Sequence, residues 1–196
     1  VFTRAEYERD ILGKLYDELR PLDPDGALRH EFANARGAMP RFARGAIEIR
    51  VLDIQECPQA DLAIAALIIE LVRAITDERW MSYEEQKRVK TDPLHSVLLD
   101  TIRYADRARI HERAVLRAFG VKQNMIWAAN LWMSLLEQVM PDHPTWSPML
   151  RRMLKTGTLA NRIGSCIRRF PTKPELHAVY AELADCLHGG ELFRVP

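Results

Sequence analysis

Five consecutive residues, Ile47-Glu48-Ile49-Arg50-Val51, alternate between apolar and charged side chains, whereas almost everywhere else the apolar positions recur at helical spacing. A period of two is that of a half-buried strand, and a period near 3.6 is that of an amphipathic helix. The contrast predicts an α+β chain that is predominantly helical, with one principal strand and at most a short neighbour for it.

Around that strand the helical signals are dense. Ile11, Leu12, Leu15, Tyr16 and Leu19 predict a helix over 3–19, which Pro21 and Pro24 end, and a short helix is predicted over 26–34. Residues 60–72 are apolar on almost every side, as in a core helix packed on the strand. Ser82 with Glu85, and Thr172 with Glu175, have the spacing of capping boxes, and Pro174 falls in the first turn of the second. Further helices are predicted over 94–108, 110–119, 124–139, 148–170 and 174–187, with a stop at Gly120 and a loop across Pro141, Pro144 and Pro148. There is no flexible linker and no fixed-period repeat. The chain reads as a single unit over 1–196, with a strand-centred segment at 36–58 and a helical region at 59–196.

Bulk charge narrows the function classes. Twenty-eight Lys and Arg residues stand against 27 Asp and Glu, so no global field draws the chain to nucleic acid or anionic lipid, and any anion site must be local. The strongly apolar run 62–69 is far shorter than the roughly 20 residues of a membrane span. Cys57, Cys166 and Cys186 form no CxxC pair and no zinc-ligand spacing, which predicts free thiols and a cytoplasmic location. Residue 1 is Val, and no secretion signal opens the sequence.

The strand also carries the chemistry. Side chains two apart share a face, so Glu48 and Arg50 project together, opposite Ile47, Ile49 and Val51, and Arg44 joins them if the strand reaches that far back. A carboxylate beside forked guanidinium groups can take a hard Mg²⁺ ion and bridge phosphate oxygens at once. A surface salt pair explains the same spacing without any chemistry. Arg29, Arg36, Arg41, Arg44 and Arg50 against Glu31 and Glu48 mark 29–50 as a local anion site or a solvated face. With only Phe32 and Phe42 as stacking aromatics, the segment lacks the platform that single-stranded nucleic acid needs.

These residues resemble a known family. His30-Glu31, Asn34-Ala35-Arg36-Gly37-Ala38, Arg41-Phe42, Arg44-Gly45-Ala46-Ile47-Glu48-Ile49-Arg50-Val51, Asp53, and Gln55-Glu56-Cys57-Pro58 with Asp61 are similar to the C-terminal part of the bacterial glutamate–cysteine ligase family 2, the carboxylate–amine ligases. Arg117-Ala118-Phe119-Gly120 and Gly157-Thr158-Leu159-Ala160 are similar to the family's helical tail. The resemblance implies a glutamine-synthetase-like antiparallel sheet, with ATP and Mg²⁺ as cofactors. It also implies a reaction in which a carboxylate, glutamate by default, is phosphorylated and joined to an amine, cysteine by default. It assigns Glu48 as a Mg²⁺ ligand, Arg50 as a contact to the transferring phosphoryl group, Arg44 as a catalytic helper and Arg36 as a nucleotide contact. Complete members open with an acidic Gly-x-Glu-x-Glu strand that has no counterpart here. The resemblance therefore predicts an N-terminal catalytic half as partner and an isolated chain that is inactive alone, with a homo-oligomer as an open possibility. The competing expectation is a noncatalytic helical protein-interaction module, with Glu48 and Arg50 as a structural pair.

Other constellations are weaker. His111-Glu112 begins like a zinc-protease helix, but Val115 stands where the second His is needed. Trp127, Trp132 and Met133 predict core packing, and Arg103, Arg107, Arg109, Arg113 and Arg117 predict a solvated stripe neutralised by Asp100, Asp106 and Glu112.

Overall fold

In a computed structural model the described residues are 1–29, 34 and 36–195. The predicted His30-Glu31 pair, and part of the predicted helix over 26–34, lie outside them, and residues 27–29 are turns. The architecture is α+β and mainly helical. It divides into two compact units, Val1–Asp53 and Ile54–Pro196, with the division inside the 36–58 segment.

The first unit opens with helix α1 (Arg4–Tyr7), capped by Thr3 and Glu6, which runs through a π-helical Glu8–Gly13 into α2 (Lys14–Leu19). Strands β1 (Ala38–Arg41) and β2 (Ala46–Ile49) then pair antiparallel, with Met39 opposite Glu48 and Pro40 opposite Ile47. The 3₁₀ turn Phe42–Arg44 and Gly45, which is left-handed at φ +57°, reverse the chain between them.

The second unit is built on α3 (Pro58–Thr76), α4 (Tyr83–Arg88) and α5 (Thr91–Tyr104). Strand β3 (Arg109–Ile110), α6 (Arg113–Ala118), β4 (Ile126–Trp127) and α7 (Ala128–Val139) follow. The chain finishes with α8 (Trp146–Thr156), α9 (Leu159–Cys166) and α10 (Lys173–Gly189). Its core joins Ala63, Leu67 and Leu71 of α3 to Val115 and Leu116 of α6, Leu131, Leu135 and Leu136 of α7, and Leu150 of α8. Burying each such Leu stabilises the fold by about 1.5–3 kcal/mol relative to leaving it in water.

Both predicted capping boxes form: Ser82 and Thr172 each receive the N–H of the Glu three residues on, and that Glu reaches back to the cap. Several expectations need correction. Helix α3 buries only one stripe (Ala60, Ala63, Leu67, Leu71, Ala74) while Leu62, Ile69 and Val72 are exposed, so its apolar composition does not make it a fully enclosed helix. Ile110 and Ile126, predicted as helical, pair with each other in a short second ladder, which shortens the helices on either side. The run over 148–170 breaks at Gly157, and Thr158 caps a new helix by accepting from the N–H of Asn161. Trp127 and Trp132 remain exposed rather than packed in the core. None of the described helices is long and apolar enough to cross a membrane.

Candidate functional site: an arginine–carboxylate cluster on the hairpin

Antiparallel pairing decides which side chains meet. Met39 faces Glu48 across the ladder and Arg41 faces Ala46, so Met39, Arg41, Glu48 and the following Arg50 share one side. Ala38, Pro40, Ile47 and Ile49 share the other. Arg50 lies just past β2, and its N–H, bonded to the carbonyl of Gly37 at 2.8 Å, continues the ladder.

On the polar side Glu48 is held by two guanidinium groups. Arg50 Nε donates to its Oε1 at 2.7 Å, and Arg41 Nε stands 3.2 Å from its Oε2. Arg50 Nη1 also donates to the main-chain carbonyl of Asn34, which fixes the far end of the fork. Asn34 is the hub. It is buried, its Nδ2 donates to the Tyr7 hydroxyl at 2.6 Å, and its Oδ1 accepts from Arg36 Nη1 at 3.2 Å and from the Arg36 N–H at 3.4 Å. Tyr7 lies edge-on to Phe42, with ring centroids 5.7 Å apart, and the Arg4 guanidinium sits 4.9 Å from the Phe42 centroid. The N-terminal helix therefore braces the turn of the hairpin and the hub together.

The hydrogen bond from Arg50, above all, holds the Glu48 carboxyl below its ordinary range. Desolvation opposes this, and the charges of Arg50, Arg41 and Arg44 reinforce it. Glu48 is thus an anion throughout the neutral range, surrounded by an excess of positive charge.

The predicted residues are only partly united. Glu48 and Arg50 meet, and Arg36 joins them through Asn34. Arg44 does not lie on the strand: it sits in the 3₁₀ turn, exposed, and acts on Glu48 only through its charge. The faces are also reversed from expectation. Ile47 is 61% and Ile49 42% exposed, and Val51 is exposed as well, while the side bearing Glu48 carries the buried Met39. Alternation fixes which residues share a face but not which face is covered. Sequence reading missed Tyr7, Asn34 and the pairing role of Arg41; a hairpin register centred between Ala43 and Arg44 would have brought Arg41 diagonally to Glu48. Among the described residues no group of three or more His, Cys, Asp or Glu is placed to hold a metal ion, so the cluster offers a cation one carboxylate.

Comparison with known proteins adds one likeness. No family model matches the chain, and no solved structure matches it. An uncharacterized protein of Archaeoglobus fulgidus is 43% identical over 80 residues, which make up 40% of this chain and 21% of that longer protein.

Proposed function

We propose that the chain is the C-terminal portion of an ATP- and Mg²⁺-dependent carboxylate–amine ligase of the glutamate–cysteine ligase type, acting in the cytoplasm. The hairpin would be part of a glutamine-synthetase-like sheet. The observation that carries this reading is Glu48 clasped by Arg41 and Arg50, with Arg36 tied in through Asn34.

The residues suit the group they would hold. Arg41 and Arg50 bring two positive charges to one carboxylate, Arg36 is tied in through Asn34, and forked guanidinium groups match phosphate oxygens. Mg²⁺ is commonly held by one or two carboxylates together with phosphate oxygens and water, so Glu48 serves as one protein ligand, and the remaining acids come from an N-terminal catalytic half. ATP supplies the phosphoryl group that turns the substrate carboxylate, glutamate by family default, into an acyl phosphate open to an amine such as that of cysteine. Arg50 would then neutralise charge spread over the transferring group, and Asn34 and Tyr7 would hold the cluster in place before substrate arrives. The exposed apolar side of the hairpin agrees with this reading, because a two-stranded sheet is marginal alone and gains from further cover. The longer Archaeoglobus fulgidus protein has room for such a half.

The second reading, a noncatalytic helical interaction module, is favoured by Leu94, Leu99 and Ile102, which stand exposed on α5. Steady-state ADP release, dependent on glutamate and an amine, separates the two in the complete protein. Arg50→Lys should lower turnover by on the order of 10²-fold or more with an unchanged melting temperature, because lysine keeps the charge and loses the fork. Turnover near wild type in that variant, or absence of any ATP-dependent ligation, would sink the ligase reading.

A further inference from the structure

The second unit holds a cleft of about 380 Å³ whose lining includes Trp80, Glu85, Arg113, Arg117, Gly120 and Lys122. Arg113 and Arg117 are one turn apart on α6 and so share a face, and Lys122 follows the turn that ends that helix. Among the described residues, none of these three cations makes a side-chain hydrogen bond or ion pair, so Arg113 and Arg117 lack the neutralising pairs predicted for them. Elsewhere in the same unit arginines are paired, as Arg73 is with Glu70, Arg151 with Glu137 and Arg168 with Glu175. The one acid in the named lining is already committed, since Glu85 Oε2 accepts from Ser82 N at 3.1 Å and from Ser82 Oγ at 2.8 Å. Those bonds first, and then the charges of Arg117 and Arg88, hold the Glu85 carboxyl below its ordinary range.

The apolar wall is fixed as firmly. Trp80 Nε1 donates to Gln138 Oε1 at 2.9 Å, the ring meets Phe119 edge-on at 6.1 Å, and its Cδ1 lies so close to Gly120 that a Cβ there would come within 2.6 Å. The Arg79 guanidinium lies 5.8 Å from the Trp80 ring centroid. An indole held by Gln138 and Phe119 thus stands beside three cations, without side-chain hydrogen bonds or ion pairs among the described residues, in a concavity of small-molecule size.

We propose that this cleft binds a small phosphate-bearing molecule, with Arg113, Arg117 and Lys122 around the phosphate oxygens and Trp80 against the apolar remainder. Two features favour a small phosphorylated ligand over nucleic acid. The cations are gathered around one concavity rather than spread along a groove, and a single aromatic ring is no stacking platform. The site belongs to the second unit and does not depend on the ligase reading.

The test is calorimetric titration of the 196-residue chain with ADP and with inorganic pyrophosphate, alongside the indole N–H resonance of Trp80, assigned with Trp80→Phe. Trp80 lines this cleft, so its resonance reads binding here separately from any binding at the hairpin cluster. The expected result is saturable binding that shifts the Trp80 resonance and weakens about tenfold or more in Arg113→Gln/Arg117→Gln, whose exposed positions leave the melt unchanged. Tighter binding of ADP than of pyrophosphate would support the Trp80 contact, and equal binding would support the phosphate contacts. Four results would overturn the proposal: no saturable binding of either ligand at millimolar concentration, an unshifted Trp80 resonance, a double variant that binds as wild type, or preferential binding of an oligonucleotide.

Discussion

Arg162 on α9 and Glu56, which immediately precedes the Cys57 cap of α3, meet at 2.6 Å with side chains 3% and 0% exposed. The same Arg162 Nη1 donates to the carbonyl of Phe193 at 2.7 Å, and Glu56 Oε1 accepts the N–H of Phe193 at 3.2 Å. Arg162 Nε reaches the carbonyl of Gly157. One buried pair thus fastens the start of α3, the break between α8 and α9, and the C-terminal tail to one another.

Removing one partner leaves the other charge buried without compensation. Arg162→Met should therefore cost about 3–5 kcal/mol in urea denaturation, and Glu56→Gln/Arg162→Met should cost clearly less than the two single changes added together. Strict additivity, or a single-variant loss below about 1 kcal/mol, would show that the pair does not act as a unit.

This pair also marks the limit of what the sequence reveals. Local signals were legible: the capping residues Thr172 and Glu175 locate the start of α10, and alternation locates β2, because both depend on neighbours a few residues away. Glu56 and Arg162 are 106 residues apart, and no local period links them. The candidate site is legible to the same extent. Glu48 with Arg50 could be read from spacing, whereas Asn34 and Tyr7, 27 residues apart, meet only through tertiary packing. The covered side of the hairpin is not legible for a related reason, since burial is decided by what packs against a face and not by its alternation.

At the start of α10 a pH prediction follows from Glu175. Arg168 grips its carboxylate at 2.7 and 3.0 Å, and this, followed by the bonds from Thr172, holds its pKa down at about 2. The folded pKa is depressed, so the stabilisation is present above the ordinary carboxylate pKa of 4.5 and is lost as pH falls from there towards about 2. An NMR titration of the Glu175 carboxyl carbon should show a midpoint well below 4.5 that rises in Arg168→Gln. An ordinary midpoint in the wild-type chain would show that the clasp is not populated in solution.

The exposed side of the hairpin makes a separate prediction. Ile47 and Ile49 lose little contact on replacement, so Ile47→Thr/Ile49→Thr should alter the stability of the 196-residue chain by no more than about 0.5 kcal/mol per site. If a longer protein covers that face, the same double change should lower its melting temperature. Equal, small effects in both proteins would remove the support that the exposed face lends to a shared sheet.

Two glycines separate backbone strain from steric collision. Gly45 and Gly120 have similar positive φ values, +57° and +66°, and alanine at either would carry a left-handed penalty of about 1–2 kcal/mol. At Gly45 an added Cβ meets nothing within 4 Å, so Gly45→Ala should cost that penalty alone. At Gly120 the Cβ would fall 2.6 Å from Trp80 Cδ1, on a ring already held by Gln138 and Phe119, so Gly120→Ala should cost about 1–3 kcal/mol more. It should also move the Trp80 indole resonance, which Gly45→Ala should leave in place. Denaturation of the two variants side by side, with that resonance followed in each, checks both parts. Equal losses, or a Trp80 signal unmoved by Gly120→Ala, would mean that the indole does not lie against Gly120 in solution.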